Sequence, residues 1–169
     1  MVMKPEPIFE AVDATERRLG PMRKILLCPR GRRFTQTKAH ELSREERLLF
    51  LCGRYEGYDE RIRDGFDWDE ISIGDFVLAG GELPTLSVLE ASVRLIPGVL
   101  GCSGSAVSES FETELFDFPQ YTRPRSYRGM EVPEILMSGD HGAIAQWRLE
   151  ESKRLTRQHP DSFPKKTDP

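Results

Sequence analysis

The sequence predicts an α/β fold with a mostly parallel sheet, and two features of its hydrophobic pattern lead to that prediction. Short continuous apolar runs, typical of strands buried on both faces, alternate with segments of helical periodicity. The composition then changes near Gly101, and a smaller helical unit follows. With 169 residues, 38% of them apolar and 31% charged, the chain has the composition of one folded domain plus a small appendage.

Four apolar runs are the predicted strands of this sheet. They cover residues 25–27, 48–52, 71–73 and 76–79. Pro29 and Gly31 should end the first run, and Gly53 should end the second, because neither residue type continues a central strand well.

Helical periodicity appears between these runs and again near the C-terminus. Pro5 and Pro7 open a helix that should end near Gly20, and residues 35–47 show a weaker helical face. A third helix starts at Glu82 and should run to Pro97, with its core face formed by Leu86, Val88, Leu89, Ala91 and Val93. The last helix is predicted to begin after an Asp140 N-cap and to end before His159.

The domain organisation predicted from composition has three parts. Residues 1–101 form the α/β domain, residues 102–119 form a linker or mobile loop rich in Gly, Ser and Glu, and residues 120–169 form the small helical domain. The final segment, 165–169, should be frayed.

Charge and cysteine content limit the function classes only weakly. The net charge is −4, but residues 23–33 and 123–128 are basic clusters without acids, so each is either a local phosphate-binding patch or a solvated loop. Three widely spaced cysteines favour a reduced, cytoplasmic protein with neither a disulfide framework nor a structural zinc site. The sequence contains no uninterrupted run of about 18 apolar residues, so it predicts no membrane-spanning helix.

Three glycine-containing loops follow the apolar runs, at residues 28–31, 53–57 and 73–81. Open α/β sheets bind ligands at the carboxyl ends of their strands, and glycine lets a ligand approach the backbone closely. None of the loops has a dinucleotide or Walker pattern, and the glycines alone would also be explained by turns. Arg94 on an apolar helix needs a partner, a ligand or access to solvent, and Glu109 would ordinarily be a solvated loop carboxylate.

Taken together, the sequence strings resemble one family. They are CGRYEG at 52–57, SIGD at 72–75, GGELP at 80–84, IPGVLG at 96–101, YTRP at 121–124 and GMEVP at 129–133. This combination resembles the bacterial tRNA (guanine-N(1))-methyltransferases, which modify the guanine 3′-adjacent to the anticodon. The resemblance runs from Met1 to about Pro160.

The resemblance implies a trefoil-knotted, mostly parallel α/β domain, a flexible linker and a small helical tRNA-binding domain, assembled as a homodimer with active sites shared between subunits. It also implies S-adenosylmethionine as the methyl donor, held in the knot loops. The residues that would hold it are Gly53, Ile73, Gly74, Asp75, Phe76, Val77 and Leu78, completed by Pro29, Tyr55, Glu56 and Gly80.

Two catalytic roles also follow from the resemblance. The guanine ring nitrogen must lose a proton before it attacks a methyl group, and negative charge then develops on the exocyclic oxygen. By position, Arg94 would stabilise that oxygen and Glu109 would accept the proton. The family carries Asp where this chain has Glu109, which changes the reach of the base by one methylene. Magnesium is used by some members, but no ligand cluster in the sequence requires it.

Two other functions remain open at this level. Family members carry a further strand and helix before the point where Met1 aligns, and they continue past Pro169. The second candidate is therefore a truncated, catalytically impaired homologue that binds S-adenosylmethionine and RNA. A knotted enzyme acting on a ribose hydroxyl is a third reading, which the linker carboxylate and the YTRP string disfavour.

Overall fold

The computed structural model describes residues 1–100 and 109–163. The chain divides into two compact units, Met1–Cys102 and Ser103–Pro169, which are described separately below. Within the described residues, no helix is long and apolar enough to cross a membrane.

The first unit contains four helices and three strands. In chain order they are α1 (Pro5–Leu19), β1 (Arg23–Arg33), α2 (Gln36–Leu42), β2 (Leu48–Leu51), α3 (Glu60–Asp64), β3 (Trp68–Ser72) and α4 (Glu82–Val93). Helix α1 begins at a proline and ends at Gly20, as the sequence predicts. Gly20 has a φ of 86°, and its N–H donates to Glu16 O.

The sheet is parallel, with β1 in the centre between β2 and β3. The predicted parallel sheet is therefore confirmed for this unit. Strand β1 is longer than the sequence predicts, because its pairing with β3 breaks after Leu27 and resumes at Arg32. Pro29 and Gly31 lie in the bulge between these pairings, so they interrupt the strand without ending it.

Two apolar clusters pack against the sheet. One contains Ile25, Leu27, Leu42, Ile71 and Val88, and the other contains Ile8, Val12 and Ile62. Leu26 between Ile25 and Leu27 is also buried. Burial of three successive residues means that β1 is covered on both faces, which explains its continuous apolar run.

Several sequence predictions for this unit are wrong in detail. Residues 76–79 form no strand, and Phe76, Val77 and Leu78 are instead exposed by 40–87%. Strand β3 begins at Trp68 and stops before Ile73, and the short helix α3 was not predicted. Strand β2 is half-buried along its length because it lies at an edge of the sheet.

Helix α4 buries only Val88 of the five residues predicted for its core face. Its buried residues are Pro84, Val88 and Ser92, four residues apart, whereas Leu86 and Val93 are 60% and 40% exposed. The helix ends at Val93, earlier than predicted. Apolar residues occur all round this helix, so periodicity alone could not identify the face that packs on the sheet.

The second unit is built around one long helix. Its elements are β4 (Ser126–Tyr127), β5 (Met130–Glu131), a 3₁₀ helix (Glu134–Met137), α5 (His141–Gln158) and a second 3₁₀ helix (Pro160–Ser162). The side chain of Asp140 accepts a hydrogen bond from Ala143 N–H, which confirms the predicted N-cap of α5. The predicted frayed tail, 165–169, lies outside the described residues.

Residues 109–119, the described part of the predicted linker, make specific contacts within the second unit. Phe116 N–H donates to Thr156 Oγ1 at 2.9 Å, and the Phe116 ring contacts Phe111, His159 and Phe163. This segment is therefore attached to α5 by a backbone hydrogen bond and to the residues that follow α5 by ring contacts. Residues 102–108 of the predicted linker lie outside the described residues.

Candidate functional site

A cavity of about 410 Å³ lies at the carboxyl ends of the three parallel strands. Its wall is contributed by the bulge of β1, the loop after β2 and the segment between β3 and α4. Its volume falls in the range of small-molecule binding sites, which is about 300–1,000 Å³. The three glycine loops singled out in the sequence thus meet at one place.

Glycine is required where these loops touch the sheet and each other. A Cβ on Gly31 would lie 2.5 Å from Ile71 N, and one on Gly81 would lie 2.7 Å from Cys52 Cα. Both contacts are with backbone atoms, which cannot move aside as a side chain can. The glycines therefore allow the segments that form the cavity to pack closely.

The structure brings together ten of the eleven residues predicted to bind the cofactor. Only Asp75 is not part of the cavity wall, because its side chain is 93% exposed and forms an ion pair with Arg33. Its contribution to binding stays a prediction. The residues that do line the cavity are Pro29, Gly53, Tyr55, Glu56, Ile73, Gly74, Phe76, Val77, Leu78 and Gly80.

One part of the wall combines exposed apolar side chains with an unusual backbone. Phe76 and Val77 are 55% and 87% exposed, although both are apolar. Across the cavity wall, Tyr55 has a φ of 60°, in the left-handed region that a tyrosine rarely adopts. Exposed apolar surface and a strained residue often occur together at ligand sites.

A polar wall of the cavity was missed by sequence reasoning. It is centred on Arg63 of α3, which donates to Tyr58 Oη at 2.8 Å and to Glu70 Oε2 at 3.0 Å. The Cys28 thiol donates to the same Glu70 oxygen at 3.2 Å. The sequence offers one partial signal, the three-residue spacing of Glu60 and Arg63, which allows an ion pair on one helical face but does not indicate Tyr58, Glu70 or Cys28 as further partners.

The environment of this wall keeps Cys28 and Tyr58 protonated at neutral pH. Burial, followed by the hydrogen bond to Glu70, raises the pKa of the Cys28 thiol. Burial likewise raises the pKa of the Tyr58 phenol. Cys28 therefore acts as a hydrogen-bond donor that attaches the β1 bulge to β3, and it is poorly suited to be a nucleophile.

Two ion pairs stand on the rim of the cavity. Arg30 Nη2 lies 2.9 Å from Glu60 Oε1, and Arg54 Nε lies 2.7 Å from Glu82 Oε1. The pKa of Glu60 is lowered by the hydrogen bond from Arg30. The pKa of Glu82 is lowered first by a backbone N–H at the start of α4 and then by Arg54. Both carboxylates are therefore ionised at neutral pH.

The first basic cluster, residues 23–33, is largely paired with acids. Arg23 contacts Glu41, Glu45 and Asp69, and Lys24 contacts Glu16. Together with the pairs of Arg30 and Arg33 just described, these contacts neutralise most of the cluster. Its role in the structure is to connect β1 with neighbouring elements.

Comparison with known proteins identifies the family of this chain. The tRNA (Guanine-1)-methyltransferase family matches residues 1–165. The chain belongs to this family.

Curated proteins named tRNA (guanine-N(1)-)-methyltransferase are similar to this chain over nearly its whole length. The Bacillus subtilis (strain 168) protein is 56% identical over 157 residues, which are 92% of this chain and 65% of that protein. The Geobacillus kaustophilus (strain HTA426) protein is 54% identical over 156 residues, covering 92% and 64% of the two chains. The chain thus spans about 65% of the length of these relatives.

The two residues that the family resemblance marks as catalytic lie in different units. Arg94 follows the last residue of α4, where it is half-buried and its backbone N–H donates to Glu90 O at 3.3 Å. Glu109 is half-buried in the second unit, and its carbonyl accepts a hydrogen bond from Glu112 N–H at 3.2 Å. Their joint action at one site stays a prediction.

The described residues of this chain include no evident metal-binding site. Within residues 1–100 and 109–163, no three His, Cys, Asp or Glu side chains are grouped so that they could hold a metal ion. Glu56 lines the cavity beside Tyr58 and Glu60.

Proposed function

We propose that this protein transfers a methyl group from S-adenosylmethionine to N1 of the guanine 3′-adjacent to the anticodon of tRNA. The observation that supports this most directly is the convergence of ten predicted cofactor residues, drawn from three separate loops, on one cavity. Membership of the tRNA (Guanine-1)-methyltransferase family and the similarity to relatives of that name support the reaction proposed.

The cavity suits S-adenosylmethionine in size and in chemistry. Glycines in its loops would let the ligand approach the backbone closely, where N–H and C=O groups can bind the polar edges of an adenine and an amino acid. Apolar side chains such as Val77 and Leu78 offer a surface for the rest of the molecule. When bound, this cofactor supplies a methyl group that its sulfonium already activates.

Arg94 and Glu109 are the proposed catalytic residues. A carboxylate at Glu109 would accept the N1 proton of guanine, and the Arg94 guanidinium would stabilise the negative charge that forms on the exocyclic oxygen. General-base assistance of this kind is worth on the order of 10²–10⁴-fold in rate.

The second unit offers a basic surface suited to tRNA. A groove of about 610 Å³ in this unit is lined by Tyr121, Arg123, His141 and Arg148 among others, and none of the described residues that line it is an acid. The Arg148 guanidinium also lies 4.6 Å from the centre of the Phe118 ring. Cations beside aromatic rings are typical of surfaces that bind phosphates and unstacked bases.

The remaining family properties belong to the same proposal. We infer a trefoil knot in the α/β domain, a homodimer whose active sites are shared between subunits, and a cytoplasmic location where tRNA is available. The bacterial relatives named for tRNA methylation support this inference.

The test is a methyl-transfer assay with radiolabelled S-adenosylmethionine and two transcripts of one tRNA. One transcript carries guanine and the other adenine directly 3′ of the anticodon. We expect label in the first transcript only, and 1-methylguanosine when that RNA is digested and analysed by mass. Arg94→Ala should abolish transfer while cofactor affinity is retained.

Three results would contradict the proposal in different ways. Cofactor binding by the folded protein without transfer would favour the impaired binding protein described above. Label on a ribose oxygen would favour the alternative knotted enzyme. Failure to bind S-adenosylmethionine at all would remove the assignment of the cavity.

A further inference from the structure

We propose that Arg54 and Glu82 form a clasp that holds the two glycine loops together at the rim of the cavity, and that both are positioning residues for the cofactor. The inference depends on the proposed function only for the identity of the ligand. Neither residue is among those that the sequence assigns to catalysis or cofactor binding.

The backbone already joins the two loops beneath this ion pair. Arg54 and Gly80 form an isolated antiparallel bridge, and Gly81 N–H donates to Gly53 O at 3.0 Å. Gly53, Gly80 and Gly81 all line the cavity. A movement of either loop would therefore change the shape of the cavity directly.

The side chains close the same junction from outside. Arg54 Nε donates to Glu82 Oε1 at 2.7 Å, linking the loop after β2 to the first residue of α4. Glu82 is favoured at that position, because the N-terminus of a helix stabilises a negative charge. The ion pair thus connects the loop after β2 to a helix that packs on the core through Val88.

Gly80 shows how tightly the clasp is folded over the loops. A Cβ on Gly80 would overlap the Glu82 carboxylate and would lie 3.0 Å from Arg54 Nε. A side chain at position 80 must therefore push the ion pair apart. The pair occupies the space that a larger residue would otherwise need.

An exposed ion pair by itself contributes little to stability, and Arg54 and Glu82 are 54% and 46% exposed. The clasp is different because the pair acts together with the backbone bridge at the same junction. We therefore expect its removal to change ligand affinity and local loop opening more than overall stability.

The experiment measures the affinity of S-adenosylmethionine and of S-adenosylhomocysteine by calorimetry for Arg54→Glu, Glu82→Arg and the double reversal. Each single reversal should weaken both ligands about tenfold, and the double reversal should regain most of the loss, as coupled residues do in double-mutant cycles. Thermal unfolding should confirm that each variant is folded. If a reversal variant does not fold, Glu82→Gln is the milder replacement.

The two ligands separate a clasp from a simple charge effect. S-adenosylmethionine carries a sulfonium charge and S-adenosylhomocysteine does not. If long-range electrostatics governed binding, Arg54→Glu would strengthen the binding of the cationic ligand and Glu82→Arg would weaken it. The clasp instead predicts that both reversals weaken both ligands.

The matched control is the exposed pair of Glu46 and Arg47, whose charged atoms lie 3.2 Å apart. It precedes β2 and so stands at the opposite end of the strand from the cavity. Reversing Arg47→Glu should leave the affinity of both ligands unchanged. An equal loss in this control would overturn the proposal.

A readout without any ligand keeps the inference separate from the proposed function. Hydrogen exchange of the Gly81 amide should become faster in each single reversal and return towards the wild-type rate in the double reversal. If the Gly81 amide exchanges at the wild-type rate in both single variants, the clasp is contradicted, even if the wild-type protein binds the cofactor well. If the wild type binds no cofactor but the exchange pattern is as expected, the clasp stands and the cofactor assignment fails.

Discussion

The two units of this chain are stabilised in different ways. Among residues 1–100 of the first unit, ten Ile, Leu, Val or Ala side chains are buried, all packed around the parallel sheet or its helices. Among residues 109–163 of the second unit, Ser152 is the only side chain that is buried. The second unit depends on ring contacts such as Phe116 with Phe163, and on exposed ion pairs along α5 such as Glu151 with Arg154.

This difference suits two different tasks. A cavity of fixed shape needs a rigid scaffold, and the loops that line the cavity of the first unit are anchored at Ile71 and Val88 in its core. A surface that binds a large, charged partner needs exposed side chains more than a deep core. The contrast between a core-built unit and a surface-built unit can be tested by substitution in each.

The largest expected effect is that of Ile25→Ala in the core of the first unit. Ile25 is fully buried in the central strand, so the substitution should lower the free energy of unfolding by about 2–5 kcal/mol. Urea denaturation measures the change. The matched substitution in the second unit is Leu149→Ala, where Leu149 is 46% exposed, and its effect should be within about 0.5 kcal/mol. Equal losses would remove the contrast.

The residues in this first test also show what the sequence could predict. The apolar run 25–27 identifies β1 because burial on both faces leaves no polar position. The run at 76–79 looks similar but forms no strand, since its apolar side chains line a cavity wall instead of a core. A hydrophobic run therefore does not by itself distinguish a core strand from the apolar wall of a cavity.

A second, smaller effect is expected from Phe116→Ala in the second unit. Phe116 is half-buried among Phe111, His159 and Phe163, so its removal should cost about 1–3 kcal/mol of local stability. Hydrogen exchange of the α5 amides measures this, and the amides of β1 serve as an internal control. Faster exchange in β1 as well as α5 would show that the two units do not unfold separately.

The candidate site was predictable in its loops but not in its polar wall. Glycines after apolar runs, together with the family strings, indicate ten of the cavity residues. Arg63 and Glu70 come from separate elements, α3 and β3, and their meeting with Cys28 depends on how α3 packs. Such long-range contacts have no local sequence pattern, which is why this wall emerged only from the structure.

A third effect concerns the helix caps in the two units. Asp140→Ala removes the N-cap of α5 and should lower local stability by about 0.5–2 kcal/mol, measured by hydrogen exchange in the first turn of α5. Asp140→Asn, which retains the acceptor, should restore most of it. In the first unit, Thr35 caps α2, whose Ala39 and Leu42 are buried. We expect Thr35→Ala to raise the amide exchange rates of α2 less than Asp140→Ala raises those of α5, because buried side chains also hold α2 in place.

The smallest expected effect is a pH dependence at Asp59, the N-cap of α3. The hydrogen bonds from Arg61, side chain first and backbone second, lower the pKa of Asp59 to about 2. A carboxyl with a lowered pKa stabilises the fold above its unfolded pKa of about 3.9, and this contribution is lost as the pH falls towards 2. Asp59→Asn keeps the cap acceptor but cannot titrate, so its urea midpoint should fall less than that of the wild type between pH 4 and pH 2. Identical midpoint curves in that window would show that the carboxylate of Asp59 contributes nothing to acid stability.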